Sequence, residues 1–451
     1  MSTARVAAPE SVNAPCAFLV APLLGGHCDR IGRRPVLIIS TFGAAAGYAL
    51  FGVGGAPPPA ESMPSEAPRT PRTSPDNPSA KGPLMSENTP RIAVIGAGPG
   101  GLLCATVLRQ HGIEATVFER DTTPASRDQG CSLDLDEHTG QAALRVAGLH
   151  DTFLSLSRPE GQEMRDYDHT GRLTAHTLES AGPARPEIDR TDLRDMLLGA
   201  LGTDHVRWDS PVRAVALTSD GRARVIPQAG PAEEFDLVIG ADGAWSKVRP
   251  VLSDAVPLYT GSTLIETSFT DVDRRHPDLA DMVGHGMMLA GDPADSTHML
   301  IGQRDGKDSV RVYVGLKCER DWAERAGVDL ADTEAVRAHL LTHFAGWHKD
   351  LLRLLMDNEG PFINRPVFRM PYPHTWKHTP GATLLGDAAH LMPPAGQGAN
   401  LALVDAADLA TAIVAAVEDG SGLDAAVDRY EQVMHPRGAQ AAEESARALE
   451  Q

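Results

Sequence analysis

Residues 91–119 constrain the fold more tightly than any other stretch of the chain. Arg91–Ile95 is a short apolar run rich in β-branched residues, the pattern of a buried strand. It runs into Gly96-Ala97-Gly98-Pro99-Gly100-Gly101, and the following segment reads as a helix from about Pro99 to His111, stopped at Gly112. Ala115–Glu119 supplies a second strand, and Glu119 stands 23 residues after Gly96. Strand, glycine turn, helix, strand and acid together predict a βαβ dinucleotide-binding unit. Gly96 permits the tight turn, Gly98 lets backbone amides approach a pyrophosphate, and Gly101 allows helix and strand to pack closely. The helix N-terminus favours the anion, and Glu119 can accept hydrogen bonds from ribose hydroxyls.

Two later segments extend this site. Asp236–Pro250, DLVIGADGAWSKVRP, reads as a strand, then Asp242-Gly243, then Ser246 and Arg249 leading into a helix. Ala382–Asn400, ATLLGDAAHLMPPAGQGAN, reads as a strand ending at Gly386-Asp387, then a Pro/Gly loop feeding an Ala/Leu-rich helix from about Leu401 to Val417. Such a loop can hold a polyol through Asp387 and stabilise negative charge through backbone amides of Gly396–Gly398.

The rest of the chain is uneven. Residues 1–84 hold seven Lys/Arg against five Asp/Glu, so the net charge of −19 resolves into +2 there and −21 over the remainder. An acidic body leaves no basic surplus for phosphates, which argues against nucleic-acid binding. From Pro57 to Pro90 ten of 34 residues are proline, a composition that predicts a disordered linker. Val36–Gly55 is a run of 20 residues without a charge, long enough to cross a bilayer. The five cysteines form no CxxC pair and no metal-ligand spacing, so no metal site is expected and a reducing, cytoplasmic setting fits.

In residues 91–450, three markers in order carry a family resemblance: the glycine motif, Asp242-Gly243, and Gly386-Asp387 with Ala388-Ala389-His390. The region resembles the class A FAD-dependent monooxygenases, the single-component aromatic-hydroxylase group. Within it, GCSLDLDEHTGQAALRVAGL (130–149), EIDRTDLRDMLL (187–198), DLVIGADGAWSKVR and GDAAHLMPP are most similar to the tetracycline-inactivating monooxygenases. Separately, APLLGGHCDRIGRRPVL (21–37) resembles the cytoplasmic loop of major facilitator tetracycline efflux transporters. That likeness covers some two spans of a dozen, too little for transport. Membrane association is expected only if residues 1–56 are retained, and the working enzyme is expected to begin near Met85.

The resemblance implies an α/β fold: a Rossmann-like FAD-binding domain, an inserted, mainly β-sheet substrate domain and a C-terminal helix. The boundaries expected are 91–150, 176–258 and 366–423 for the FAD domain, 151–175 and 259–365 for the substrate domain, and 424–451 for the helix. Glu119 would bind the adenosine ribose, with Arg120 beside it, and Arg127 and Arg190 would lie along the FAD. Asp242 and Gly243 would serve flavin and nicotinamide nucleotide. Gly386 and Asp387 would hold the ribityl chain, while Pro394, Gly396, Gly398 and Asn400 would cover the isoalloxazine edge. The implied reaction takes hydride from NADPH (NADH is not excluded), activates O₂ as a flavin C4a-hydroperoxide and hydroxylates an electron-rich aromatic or polyketide. Tetracycline is the expected substrate; another polyketide or aromatic, or an inactive FAD-binding remnant, is the alternative. A monomer is expected.

In such an enzyme the cofactor carries the hard chemistry, so no catalytic acid or base need be present. His390 reads as structural, His343 and His348 as surface groups on one helix, and Cys104 and Cys131 as packing residues. Met287, Met288 and Met299 fit a substrate cavity or the core equally. Two departures from related sequences stand out: a loop one residue shorter between Pro394 and Gly396, and a final helix still running at Gln451.

Overall fold

The computed structural model describes residues 89–126, 130–178 and 185–450. The transporter-like stretch, nearly all of the Pro-rich segment and Arg127 lie outside them.

A five-stranded parallel sheet, in the order Ala382–Leu384, Leu237–Gly240, Ile92–Ile95, Ala115–Phe118 and Val206–Arg207, forms the first layer. Ile92–Ile95 is its central strand and is buried on both faces, which is why it reads as an unbroken apolar run. The helix Pro99–Gln110 follows, with Pro99 at its first turn and Gly112 at φ +75° just beyond its end. Leu102, Leu103 and Leu108 are fully buried, each contributing ~1.5–3 kcal/mol of transfer free energy. This helix crosses Gly398–Asp419 closely: a Cβ on Gly100 would lie 2.8 Å from the Ala402 carbonyl oxygen. Gly398–Asp419 is apolar and long enough to cross a membrane, but Leu403, Leu409, Ala410 and Ile413 are buried in this core.

A seven-stranded mixed sheet forms the second body. Its order is Ile363–Arg369, Leu258–Thr270, Ser309–Lys317, Asp295–Asp305, Met287–Asp292, Met164–Asp168 and Leu173–Thr177. Alternate residues Ile265, Phe269, Val310, Val312, Val314, Leu300 and Ala290 pack under helices 272–275, 277–283, 333–343 and 349–356. The run RVYVGL lies in one of these strands, its period of two marking a sheet with two unlike faces.

The helix Leu423–Glu450 braces the parallel sheet. Tyr430 donates to the Leu384 carbonyl (2.9 Å), and the buried Glu431 carboxylate accepts from Trp376 Nε1 (2.9 Å) and Thr383 Oγ1 (2.8 Å). The architecture is the expected α/β one: a Rossmann-like domain, an inserted sheet domain and a C-terminal helix.

Candidate FAD and substrate site

The glycine turn is built as its spacing requires. Gly96 has φ +108°, and a Cβ there would lie 2.4 Å from the Ala241 carbonyl oxygen. A Cβ on Gly101 would lie 2.1 Å from the Gly96 carbonyl oxygen. Around Gly98, by contrast, no heavy atom comes within 4 Å of the Cβ position. Gly96 and Gly101 are thus demanded by the protein's own packing, and Gly98 opens a face. That face holds the N-terminus of Pro99–Gln110, where no side chain caps the free amides, so it suits an anion.

Glu119 is buried behind the turn, accepting from Ala97 N (2.7 Å) and Asp121 N (2.9 Å). Its carboxylate therefore braces the loop, with lone pairs left for hydroxyl donors. Arg120 is exposed, and no polar contact draws it to the turn. The arginine that reaches the glycine loop is Arg194, which no motif in the sequence marks. Buried, it donates to Ala97 O (3.2 Å) and Pro124 O (2.9 Å) and pairs with Asp121 (3.4 Å). It lies one helical turn beyond Arg190 on Arg190–Leu201, so the two arginines serve different places: Arg194 the glycine loop, Arg190 the open side of the site. Arg190 has a buried Nε without a hydrogen-bond partner.

Asp242 stands two residues after the end of Leu237–Gly240, and its Cα would be 3.1 Å from a Cβ on Gly96. Oδ2 accepts from Lys247 N (2.5 Å), whereas Oδ1 is buried without a partner. Burial holds this carboxyl above the usual carboxylate range, against the opposing hydrogen bond from Ser246. Gly243, at φ +74°, makes the turn that follows. The helix expected after it is only a short 3₁₀ turn, Arg249–Val251. Arg249 pins that turn to the other motif, donating to Ala388 O (2.8 Å), Ala244 O (3.0 Å) and Asp387 O (3.2 Å).

Gly386 adopts φ +57° at the end of Ala382–Leu384. In the run 382–390 every residue is buried except Asp387, whose carboxylate is turned outward. A Cβ on Gly398 would lie 3.7 Å from Asp387 Oδ1, so the acid stands at the N-terminus of Gly398–Asp419. Pro394 is exposed, and Gly396, at φ +76°, approaches Asp134: a Cβ there would lie 3.6 Å from its Oδ1. Asn400 corrects the expectation placed on it. It donates to Asp134 O (2.9 Å) and Gly396 O (3.1 Å) and accepts from Asp136 N (2.8 Å) and Thr139 Oγ1 (3.3 Å). Its amide is fully spent on stitching residues 134–139 to the loop, leaving nothing for a cofactor.

The remaining candidates sort by burial. His390 is structural, as expected, and lies against Asp405 within the core. Cys104 is buried, which pushes its thiol up to about 12. His343 and His348 do not share a helix: His343 ends Thr333–His343, and His348 caps Lys349–Met356. Among the described residues no cluster of His, Cys, Asp and Glu can hold a metal.

Opposite the cofactor motifs lies the helix-free face of the large sheet. Gln303 donates to Ser132 O (3.4 Å) and Asp305 accepts from Ser132 N (3.0 Å), so this face looks at the Rossmann-like domain. Strand pairing sets Glu266, Tyr313, Ile301, Leu289 and Asp166 in one row across it, with Leu264, Gly315, Met299 and Gly291 in the next. Met288 packs in the core under the helices, whereas Met299 belongs to the open face together with Met287. At one end of the row Glu266 pairs with Arg311 (2.5 Å) and Arg365 (3.0 Å).

The residues present fit FAD. Gly98 leaves a cradle for the pyrophosphate, and Asp242 and Arg190 each hold a buried polar atom in want of a partner. Asp387 offers an outward carboxylate to a polyol. Fold and site define a flavin-binding oxidoreductase with a facing substrate sheet. A family model described as an FAD binding domain matches residues 89–445, and the chain belongs to this family of flavin-dependent monooxygenases.

Monooxygenase penA of Penicillium thymicola is 33% identical over 408 residues, covering 78% of this chain and 92% of that protein. The 3-amino-4-hydroxybenzoate 2-monooxygenase PtnB3 of Streptomyces platensis is 31% identical over 358 residues, covering 78% and 86%. Among solved structures, an FAD-containing monooxygenase of Photorhabdus luminescens superposes with a TM-score of 0.67 at 24% identity, covering 80% of this chain and 97% of that one. Tetracycline destructase Tet(55) superposes with a TM-score of 0.62 at 22% identity, covering 81% and 90%. The likeness to the destructases therefore extends to the fold, while penA and PtnB3, both above 30% identity, are other monooxygenases. The transporter-like segment lies outside the matched region.

Proposed function

We propose that the chain uses NADPH and O₂ to hydroxylate a multi-ring, electron-rich small molecule, with tetracycline as the specific substrate to test first. The observation that carries this reading is the open face of the sheet. Leu264, Met299, Ile301, Leu289 and Met287 offer a broad apolar surface, with Tyr313 among them. Its row from Glu266 to Asp166 crosses four strand spacings, ~19 Å, several times the width of one aromatic ring.

A single-ring benzoate, the substrate type in the printed name of PtnB3, is the second reading. It would ask for a free cation to meet its carboxylate. On this face Arg311 already pairs with Glu266 and Asp305, and Arg365 with Glu266. The charge pattern therefore favours a larger, less acidic substrate.

FAD, when bound, supplies the redox chemistry and the activation of oxygen. The chain's residues bind, orient and shield. The amides at Gly98 and the start of Pro99–Gln110 meet the pyrophosphate, Glu119 accepts from the ribose, and Asp387 holds the polyol. The apolar sheet face excludes water from the reacting centre. No side chain need move a proton at the substrate carbon.

The test is incubation of the FAD-loaded protein with NADPH, air and tetracycline, read by mass spectrometry of the drug. A NADPH-dependent gain of one oxygen atom supports the full reading. Substrate-independent NADPH consumption with unchanged drug sinks tetracycline and keeps the enzyme class.

A further inference from the structure

Asp166 is the one carboxylate in the cross-sheet row that nothing offsets. At the opposite end Glu266 is held by two arginines. Asp166 has no such partner: its Oδ1 is buried and makes no hydrogen bond. The strand Met164–Asp168 shows which way it faces. Tyr167 packs among the residues under the helices and donates to Met282 O (3.0 Å), so its neighbour Asp166 belongs to the opposite, open face. There its cross-strand neighbours are Leu289 and Ala175, neither of which can donate from its side chain. Asp168 is already engaged in its own turn with Thr170 and Arg172 (3.0 Å). Burial alone lifts the Asp166 carboxyl above its ordinary range, with no opposing partner.

A buried acceptor left unmade costs free energy, and proteins keep such groups where something else satisfies them. We infer that Asp166 is a specificity-determining residue: it accepts a hydrogen bond from an N–H or O–H group at the far end of an aromatic substrate lying along the row Tyr313, Ile301, Leu289. This rests on the proposal that the open sheet face receives the substrate. The carboxylate selects molecules with a donor at that end and rejects isosteres that lack one, because the latter leave its buried Oδ1 unpaired.

The test uses the FAD-loaded full chain and two neutral two-ring probes, 2-naphthol and 2-methoxynaphthalene, which differ in one donor. Binding is followed by perturbation of the flavin absorbance. The protein should bind 2-naphthol about 10-fold more tightly. Asp166→Leu should bring the two probes within about twofold by weakening 2-naphthol alone. Asp166→Asn, an isosteric change, should retain FAD and unfold at the same temperature or higher, since it removes a charge that partial burial disfavours.

Equal affinity of the wild-type protein for both probes, or a preference that survives Asp166→Leu, overturns the role of Asp166 and leaves the substrate face intact. Failure of both probes to bind overturns both. A large drop in stability of Asp166→Asn would show that the protein itself uses the carboxylate, and would also sink the proposal.

Discussion

His390 Nε2 lies 2.6 Å from Asp405 Oδ2, with both side chains buried where the Asp387–His390 turn meets the long helix Gly398–Asp419. The same carboxylate accepts from Gly386 N (3.0 Å) and, through Oδ1, from Arg437 (2.9 Å) on the C-terminal helix. One buried acid thus ties together the turn that presents Asp387, the helix behind it and the brace that closes the domain. The contact raises the His390 pKa and lowers that of Asp405, each against the desolvation that opposes it.

Removing this acid should be costly. Asp405→Asn leaves a protonated His390 without its counter-charge, whereas Arg437 keeps Asp408 (2.7 Å), and a loss of about 3 kcal/mol is expected. The pH sign follows from the two directions. The raised histidine contributes stability that is fully present below its unfolded value of 6.5 and is lost as pH rises through its folded value. The lowered aspartate contributes above its unfolded value of 3.8 and loses its share as pH falls through its folded one. The pair's contribution should therefore be greatest between those two unfolded values, and Asp405→Asn should remove that maximum. Thermal unfolding of both proteins across pH 3–9 checks it.

Two glycines of one motif should respond in opposite ways. Gly101→Ala forces a methyl against the Gly96 carbonyl oxygen, 2.1 Å away, so the protein should be destabilised by several kcal/mol whether or not FAD is present. Gly98→Ala meets no protein atom within 4 Å and keeps an ordinary φ of −77°. It should leave the apoprotein within about 0.5 kcal/mol of wild type while weakening FAD at least tenfold. Apoprotein denaturation and flavin titration, run side by side, separate the two. Equal effects of both substitutions on apoprotein stability would count against the open face.

Much of this site is legible in the chain because its geometry is local. Gly96, Gly98 and Gly101 serve a turn and a close packing set within six residues, and Asp387 stands three residues after a buried strand. The alternation of residues 311–316 likewise marks a two-faced strand. What could not be read depends on distant pairings. Asp405 carries no motif, since His390 stands 15 residues before it and Arg437 32 after. Asn400 looks like a loop residue facing the cofactor until its hydrogen bonds to residues 134–139 appear. Arg190 and Arg194 are one turn apart on a helix, and only the packing of that helix decides which reaches the glycine loop. The parallel pairing of Met164–Asp168 with Met287–Asp292, which sets Asp166 beside Leu289, joins segments more than a hundred residues apart.

Asp387 gives a direct test of the polyol assignment. Because its side chain is the exposed one in a buried run, Asp387→Ala should cost the apoprotein less than about 0.5 kcal/mol. Loss of a charged acceptor for the ribityl hydroxyls should weaken FAD about 10- to 100-fold. Flavin retention through gel filtration, with the unfolding midpoint as control, reads both. Unchanged FAD affinity would remove Asp387 from the site.

Glu187 sits where the two domains meet, close to Arg158 (3.5 Å) and Gln303 (3.4 Å). Desolvation pushes its carboxyl up to about 7 despite the nearby arginine, while the neighbouring Asp134 adds to the rise. An acid raised in the folded state binds its proton more tightly there than in the unfolded chain. Its contribution is then fully present below the unfolded value of 4.5 and is lost as pH rises towards about 7. The loss should be on the order of 2–3 kcal/mol. Glu187→Gln mimics the protonated form and should flatten this decline, so its advantage over wild type should grow from pH 5 to pH 8 and then level off. Denaturant unfolding at fixed pH values provides the measurement. A variant that parallels wild type throughout would mean that Arg158 keeps the carboxylate ionised at the domain junction.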